Sequence, residues 1–226
     1  MQNFKLGFRA MLPLAPGILP FGAVMGSTFA EANLTFGQSM LMNASVYAGA
    51  AQLATVNLMK LNAAVFVVVI TGLMINMRFL LYSAAISPQL KGEPWWIKFA
   101  CAFTLTDQSY ATMTAKADLF SNNHQAIRFY LGSALAMGLT WHGSVIAGVI
   151  FGNFAPASLS LDYAVPLSFV ALLVPTLKTR GHRVLAVFSS LVSLLMYGLP
   201  FKAGLIVTAI LSMGLAAVII RRRGHA

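Results

Sequence analysis

Residues 10–32 read AMLPLAPGILPFGAVMGSTFAEA, and no charge interrupts them between Arg9 and Glu31. An uncharged, largely apolar run of this length is what a helix needs to cross the ~30 Å hydrocarbon core of a bilayer. The same run holds Pro13, Pro16, Gly17, Pro20, Gly22 and Gly26. Each proline removes a backbone donor and crowds the preceding turn. Backbone freed in this way at membrane depth has to face protein or a water-filled cavity rather than lipid. The stretch is therefore predicted to be a transmembrane helix broken between Pro16 and Pro20, with a glycine-packed kink as the plainer alternative.

The rest of the chain repeats the pattern. Of 226 residues, 58% are hydrophobic and 9% charged, whereas roughly a quarter of the residues of a soluble domain carry charge. The charges cluster between long uncharged stretches. Seven further segments follow, near 36–59, 63–86, 99–118, 128–153, 161–177, 184–199 and 203–220. The fold class this implies is all-α: a polytopic membrane helix bundle of about eight transmembrane segments, one integral membrane domain over residues 1–226. Pro88, Gly92, Pro94, Trp95 and Trp96 mark residues 87–98 as a loop with interfacial aromatics.

Two segments are too polar to face lipid all round. The second carries Gln38, Asn43, Ser45, Tyr47, Gln52, Thr55 and Asn57 around the small residues Gly49, Ala50 and Ala51, so it belongs inside the bundle. The fourth carries Thr104, Thr106, Asp107, Gln108, Ser109, Thr112 and Thr114, and is either a span lining a cavity or a re-entrant piece.

Charge sets the orientation. With eight crossings and both termini cytoplasmic, Lys5, Arg9, Lys60, Lys116, Arg128, Lys178, Arg180, Arg183 and the terminal Arg221, Arg222 and Arg223 lie inside, leaving Lys91, Lys98 and Lys202 outside. The expected location is a bacterial cytoplasmic (inner) membrane.

Several function classes drop out. The net charge of +10 is not arranged as a basic stripe with interleaved aromatics, so no nucleic-acid partner is expected; the terminal arginines suit an anionic lipid surface. The single Cys101 cannot form an intrachain disulfide and reads as a packing residue. Prolines break the apolar stretch after Lys5 and Arg9, so it is expected to be retained rather than cleaved as a signal peptide. His124, His142, His182 and His225 are dispersed, and HExxH, phosphate-loop and GxSxG patterns are missing from the sequence, so neither enzymatic nor metal chemistry is expected. What remains are ionisable groups at membrane depth: Arg78, Asp107, His142 and Asp162. Such charges are expensive in hydrocarbon, so they pair or line a pathway. Asp107, among hydroxyls and amides, has the strongest claim to function, with a structural ion pair to Arg78 as the alternative. Asp162 also reads as a helix cap, and His142 as a hydrogen-bonded packing residue.

Four motifs occur in order: Pro16-Gly17-Ile18-Leu19-Pro20-Phe21-Gly22, Ala48-Gly49-Ala50-Ala51-Gln52, Asn76-Met77-Arg78, and Thr106-Asp107-Gln108 followed by Ser109-Tyr110-Ala111. In these the chain resembles the AzlC family, the large subunits of branched-chain amino acid exporters, over nearly its full length. The resemblance implies export of valine, leucine, isoleucine and sometimes methionine, with a small AzlD-type membrane protein as partner. It also adds Asn76 and Gln108 to the candidate substrate-binding residues.

The residues themselves accommodate such a substrate. An amino acid needs a site for its carboxylate, one for its ammonium and an apolar pocket. A helix interrupted at Pro16, Gly17 and Pro20 would offer unpaired N–H groups to the carboxylate. Gln52 and Arg78 would add donors, and Asp107 would receive the ammonium. With no nucleotide motif and no cofactor expected, an ion gradient, that of protons, would supply the energy. A channel or carrier for another small polar solute, or a membrane assembly subunit without transport, are the competing classes.

Overall fold

The computed structural model describes residues 2–151, 170, 177, 179–199 and 203–223. The described residues are helical: α1 (Gln2–Met11), a 3-10 turn (Leu12–Leu14), α2 (Ala15–Glu31), α3 (Phe36–Ser45), α4 (Gly49–Lys60), α5 (Val65–Asn76), α6 (Arg78–Ile86), α7 (Trp95–Phe103), α8 (Asp107–Thr114), α9 (Asn123–Phe151), α10 (Arg180–Leu195) and α11 (Ala203–Arg223). Among them, three helical stretches are long and apolar enough to cross a membrane: Gln2–Glu31, Val65–Leu90 and Asn123–Phe151. Asp162 and nearly all of the sixth segment lie outside the described residues.

The first stretch corrects the sequence reading twice. It starts at Gln2 rather than near residue 10, because Lys5 and Arg9 share an exposed face while Gly7 and Met11 are buried on the other. It is also helical through Pro16, Gly17 and Pro20. Pro13 and Pro16 sit in the first positions of the 3-10 turn and of α2, where a missing N–H costs little because no intrahelical acceptor awaits it. Pro20 alone lies inside the helix. The irregularity is thus concentrated in one 3-10 turn, and Pro16 and Pro20 are exposed.

This helix runs parallel to α9 in close contact. A Cβ at Gly132 would fall on the Phe4 carbonyl, one at Gly7 on the Phe129 carbonyl, and one at Gly148 on the Ala23 carbonyl. Small residues at these crossings let the two backbones approach, as is common where helices associate in lipid. Met11, Phe21, Met25 and Phe29 fill the seam with Trp141 and Val145. Large exposed apolar side chains such as Val65, Phe66, Leu73, Leu139 and Ile150 cover the outside, the surface a bilayer requires.

The second and fourth segments do not cross. Glu31, at the end of α2, pairs with Lys60, at the end of α4, at 2.7 Å. The chain between them therefore enters as α3, turns at Val46–Ala48 and returns as α4 to the end it left. Likewise Asn123 Nδ2 donates to the Pro88 carbonyl at 3.4 Å, and His124 lies 3.6 Å from Glu93. Hence α7 enters from the other end, breaks at Thr104–Thr106 and returns as α8. Gln2, Lys91 and Arg128 border one surface cleft, which places this second hairpin at the end of the bundle where the chain begins. Two helical hairpins thus enter from opposite ends. For the fourth segment this is the re-entrant alternative; for the second it was not anticipated.

Candidate functional site

Backbone that turns at membrane depth must have its polar groups satisfied by protein. At the first hairpin tip the Gln52 amide does this, donating to the Val46 carbonyl from the first turn of α4. Its Nε2 also lies 3.4 Å from Asn43 Oδ1. Asn43 ties the tip to α9: Trp141 Nε1 donates to Asn43 Oδ1 at 2.8 Å, and Asn43 Nδ2 lies 2.8 Å from His142 Nδ1. An indole N–H can only donate. The amide oxygen must therefore face Trp141, the amide nitrogen must face His142, and His142 Nδ1 is the acceptor. His142 is a hydrogen-bonded packing residue, as the sequence indicated, although its role in holding a hairpin tip was not visible there.

The second tip is held in the same way. Tyr130, fully buried on α9, donates to the Cys101 carbonyl at 2.9 Å, and Thr104 Oγ1 donates to the Ala100 carbonyl at 2.7 Å. Cys101 itself is buried in the surrounding apolar cluster. A capping box starts α8: the Ser109 N–H donates to Thr106 Oγ1 at 3.1 Å, and the Thr106 N–H donates to Ser109 Oγ at 2.9 Å. The tips meet where the Tyr47 ring stacks on Phe103 at 6.2 Å between centroids and on His142 at 5.4 Å.

Where the tips meet, the third segment also breaks. Met77 separates α5 from α6, and Arg78 opens α6. Arg78 Nη1 lies 2.9 Å from Asp107 Oδ2, and both side chains are mostly buried. Tyr82 Oη donates to Asp107 Oδ1 at 2.8 Å, so Asp107 is held through both oxygens. Tyr82 in turn stacks on Tyr110 at 4.5 Å, and the Arg78 guanidinium lies 5.2 Å from the centre of the Phe79 ring.

These elements enclose a cavity of about 30 Å³, bordered by Tyr47, Gly49, Arg78, Asp107, Gln108 and Trp141 among others. That is room for a water or two, so the apolar walls fit closely. Two residues that border it carry buried polar atoms without a hydrogen-bond partner, Tyr47 Oη and Arg78 Nε, and Gln52 Oε1 and Asn76 Oδ1 are likewise buried and unpartnered. In a packed protein such atoms are rare and call for an explanation. Among the described residues no three His, Cys, Asp or Glu side chains stand close enough to hold a metal ion.

Of the candidate site residues, the structure brings Arg78, Asp107 and Gln108 to the cavity; Gln52 is buried and Asn76 half-buried, and neither borders it. Pro16, Gly17 and Pro20 do not border it; their helix contributes Phe21. The sequence did not reveal Tyr47, Tyr82 or Trp141, because aromatic residues are ordinary in any apolar segment. Their polar tips acquire meaning only beside Asp107 and Asn43.

Comparison with known proteins places the chain among membrane proteins. An uncharacterized membrane protein of Archaeoglobus fulgidus is 27% identical over 192 residues, covering 80% of this chain and 78% of the relative. No solved structure matches the chain. The AzlC protein family matches over residues 13–155, a span that contains both hairpins, the Arg78–Asp107 pair and α9. The chain therefore belongs to the AzlC family, a transport-related family of membrane proteins.

Proposed function

We propose that this protein is a secondary transporter that exports branched-chain amino acids, valine, leucine and isoleucine with methionine as a further candidate, across the cytoplasmic membrane. The observation that carries the reading is the convergence of two oppositely inserted hairpin tips on the Arg78–Asp107 pair. Interrupted helices meeting at the bundle centre are the usual way a membrane protein builds a polar site for a small solute. The cavity pairs one cation with one anion, has the apolar Phe21, Phe79, Met137 and Trp141 on its walls, and adds the polar Tyr47, Thr106 and Gln108. That is the complement of a zwitterion with an apolar side chain. Its small volume matches a closed conformation, and loading requires one hairpin to move.

The charges support an orientation with the chain's start in the cytoplasm. Folding the second and fourth segments back transfers Lys60 to the outer side and Lys91 and Lys98 to the inner side. If the other six segments cross, twelve of the fifteen Lys and Arg residues are cytoplasmic and only Lys60 and Lys202 are external. The positive-inside rule favours this over eight crossings. Both arrangements keep the two termini together. A proton gradient supplies the energy, and a small AzlD-type membrane subunit completes the transporter.

The reading is tested by counterflow. Vesicles holding the protein with its small subunit and preloaded with unlabelled leucine should accumulate labelled leucine transiently and saturably. Non-saturating uptake without counterflow would identify a channel instead, and no uptake of any branched-chain amino acid would remove the substrate assignment.

A further inference from the structure

The start of α4 carries unused hydrogen-bonding capacity inside the cavity. Gly49, Ala50 and Ala51 occupy the first turn of α4, where backbone N–H groups have no intrahelical acceptor. Here the residue before the helix is Ala48, and no side chain caps it. Ala51 is fully buried, and Gly49 and Ala50 are half-buried. Ala48, Gly49 and Ala50 border the cavity. An uncapped helix start beside a cavity also presents the positive end of the helix dipole to it.

A second observation at the same place comes from the other hairpin. Gln108, in the first turn of α8, is 9% exposed and borders the cavity. Its amide makes no hydrogen bond with any described residue, although Thr106 and Ser109 beside it are fully engaged. Its NH₂ group has two protons to donate. Arg78, with Nε buried and unpartnered, borders the same cavity. Asp107 has Arg78 and Tyr82 as partners, one at each oxygen, and its carboxylate keeps further acceptor capacity.

We infer that the carboxylate of the transported amino acid binds at the N-terminus of α4, accepting hydrogen bonds from the Gly49–Ala51 backbone and from the Gln108 amide across the cavity. This rests on the transporter reading above and moves the carboxylate site from the proline-rich first helix to the tips of the two hairpins. Because one donor set lies on each hairpin, a bound carboxylate links elements inserted from opposite ends. The orientation also follows: the ammonium lies toward Asp107, and the side chain toward Phe21, Met137 and Trp141.

The test separates the carboxylate from the rest of the substrate. Three probes bind to the purified full chain in detergent and are followed by thermal stabilisation: leucine, 4-methylpentanoate, which lacks the ammonium, and isoamylamine, which lacks the carboxylate. Ala50→Pro removes one N–H within the first turn of α4, where no intrahelical hydrogen bond is lost. Gln108→Leu removes the amide at similar size and leaves the α4 backbone untouched. The expected result is that each variant binds leucine and 4-methylpentanoate about tenfold more weakly than wild type, with isoamylamine unchanged. Unchanged affinity for both acids in either variant, when that variant melts like wild type without probe, overturns the assignment and leaves the transporter reading standing. Binding of 4-methylpentanoate but not leucine to wild type, lost in the variants, would support the carboxylate site and remove the amino acid reading. Binding of isoamylamine alone would remove both.

Discussion

Arg78 and Asp107, twenty-nine residues apart, lie 2.9 Å from each other across the junction of α6 and α8. One opens the helix after the break in the third segment, and the other opens the return helix of the second hairpin. Their pairing fixes two interrupted elements against each other and leaves each charge balanced. Removing one member of a mostly buried pair leaves the other uncompensated, at a cost of roughly 3–5 kcal/mol.

Asp107→Asn is expected to abolish transport while the protein still inserts, since the change keeps size and removes charge. Leucine export measured in cells expressing the variant checks this. Export at the wild-type rate would exclude an essential role for the charge. Arg78→Met should lower thermal stability by a comparable amount. The double variant should lose less than the sum of the two, because neither charge is then left alone.

The hairpins make a topological prediction. In a background with Cys101 replaced, single cysteines at Lys60 and Lys91 should be labelled from opposite sides by a membrane-impermeant reagent, with Lys60 on the outer side. A cysteine at Arg183 should be labelled only from the cytoplasm. Labelling of Lys91 from outside would restore the reading in which the second and fourth segments cross.

Asn43→Ala should cost about 1–3 kcal/mol for each buried group left without a partner, and it strands the Trp141 N–H and His142 Nδ1. A lowered melting temperature with altered tryptophan emission is the expected outcome. Wild-type stability would show that the hairpin tip does not depend on this amide.

Gly132→Leu tests the close approach of the first helix to α9. The new side chain falls on the Phe4 carbonyl, and overpacking of this kind typically costs about 1–3 kcal/mol. The melting temperature in detergent should drop. By contrast, Pro16→Ala combined with Gly17→Ala and Pro20→Ala alters residues away from the cavity, so leucine-induced stabilisation should survive it.

Much was legible in the order of residues alone. Low charge and long apolar runs dictate a membrane-embedded helical protein, because an uninterrupted apolar run satisfies its backbone hydrogen bonds within itself only as a helix, whereas the strands of a closed barrel alternate apolar and polar. The polarity of the second and fourth segments marked them as internal, and the isolated charges of Arg78 and Asp107 marked them as a pair or a pathway. The prolines of the first helix misled, since Pro13 and Pro16 fall at turn starts where their missing N–H groups cost little. Tertiary structure alone decided that residues 36–60 and 95–114 fold back. A polar segment of some twenty residues has the same hydropathy whether it crosses or returns. The first hairpin turns at Val46–Ala48, which contains neither proline nor glycine. Its return is recorded by Lys60 reaching Glu31, and its tip is held by Asn43, Gln52 and Trp141, contacts between residues up to ninety-eight positions apart. Hydropathy reports only the burial of single residues. The direction of a hairpin depends on which distant groups satisfy its exposed backbone, and that is set by the fold as a whole.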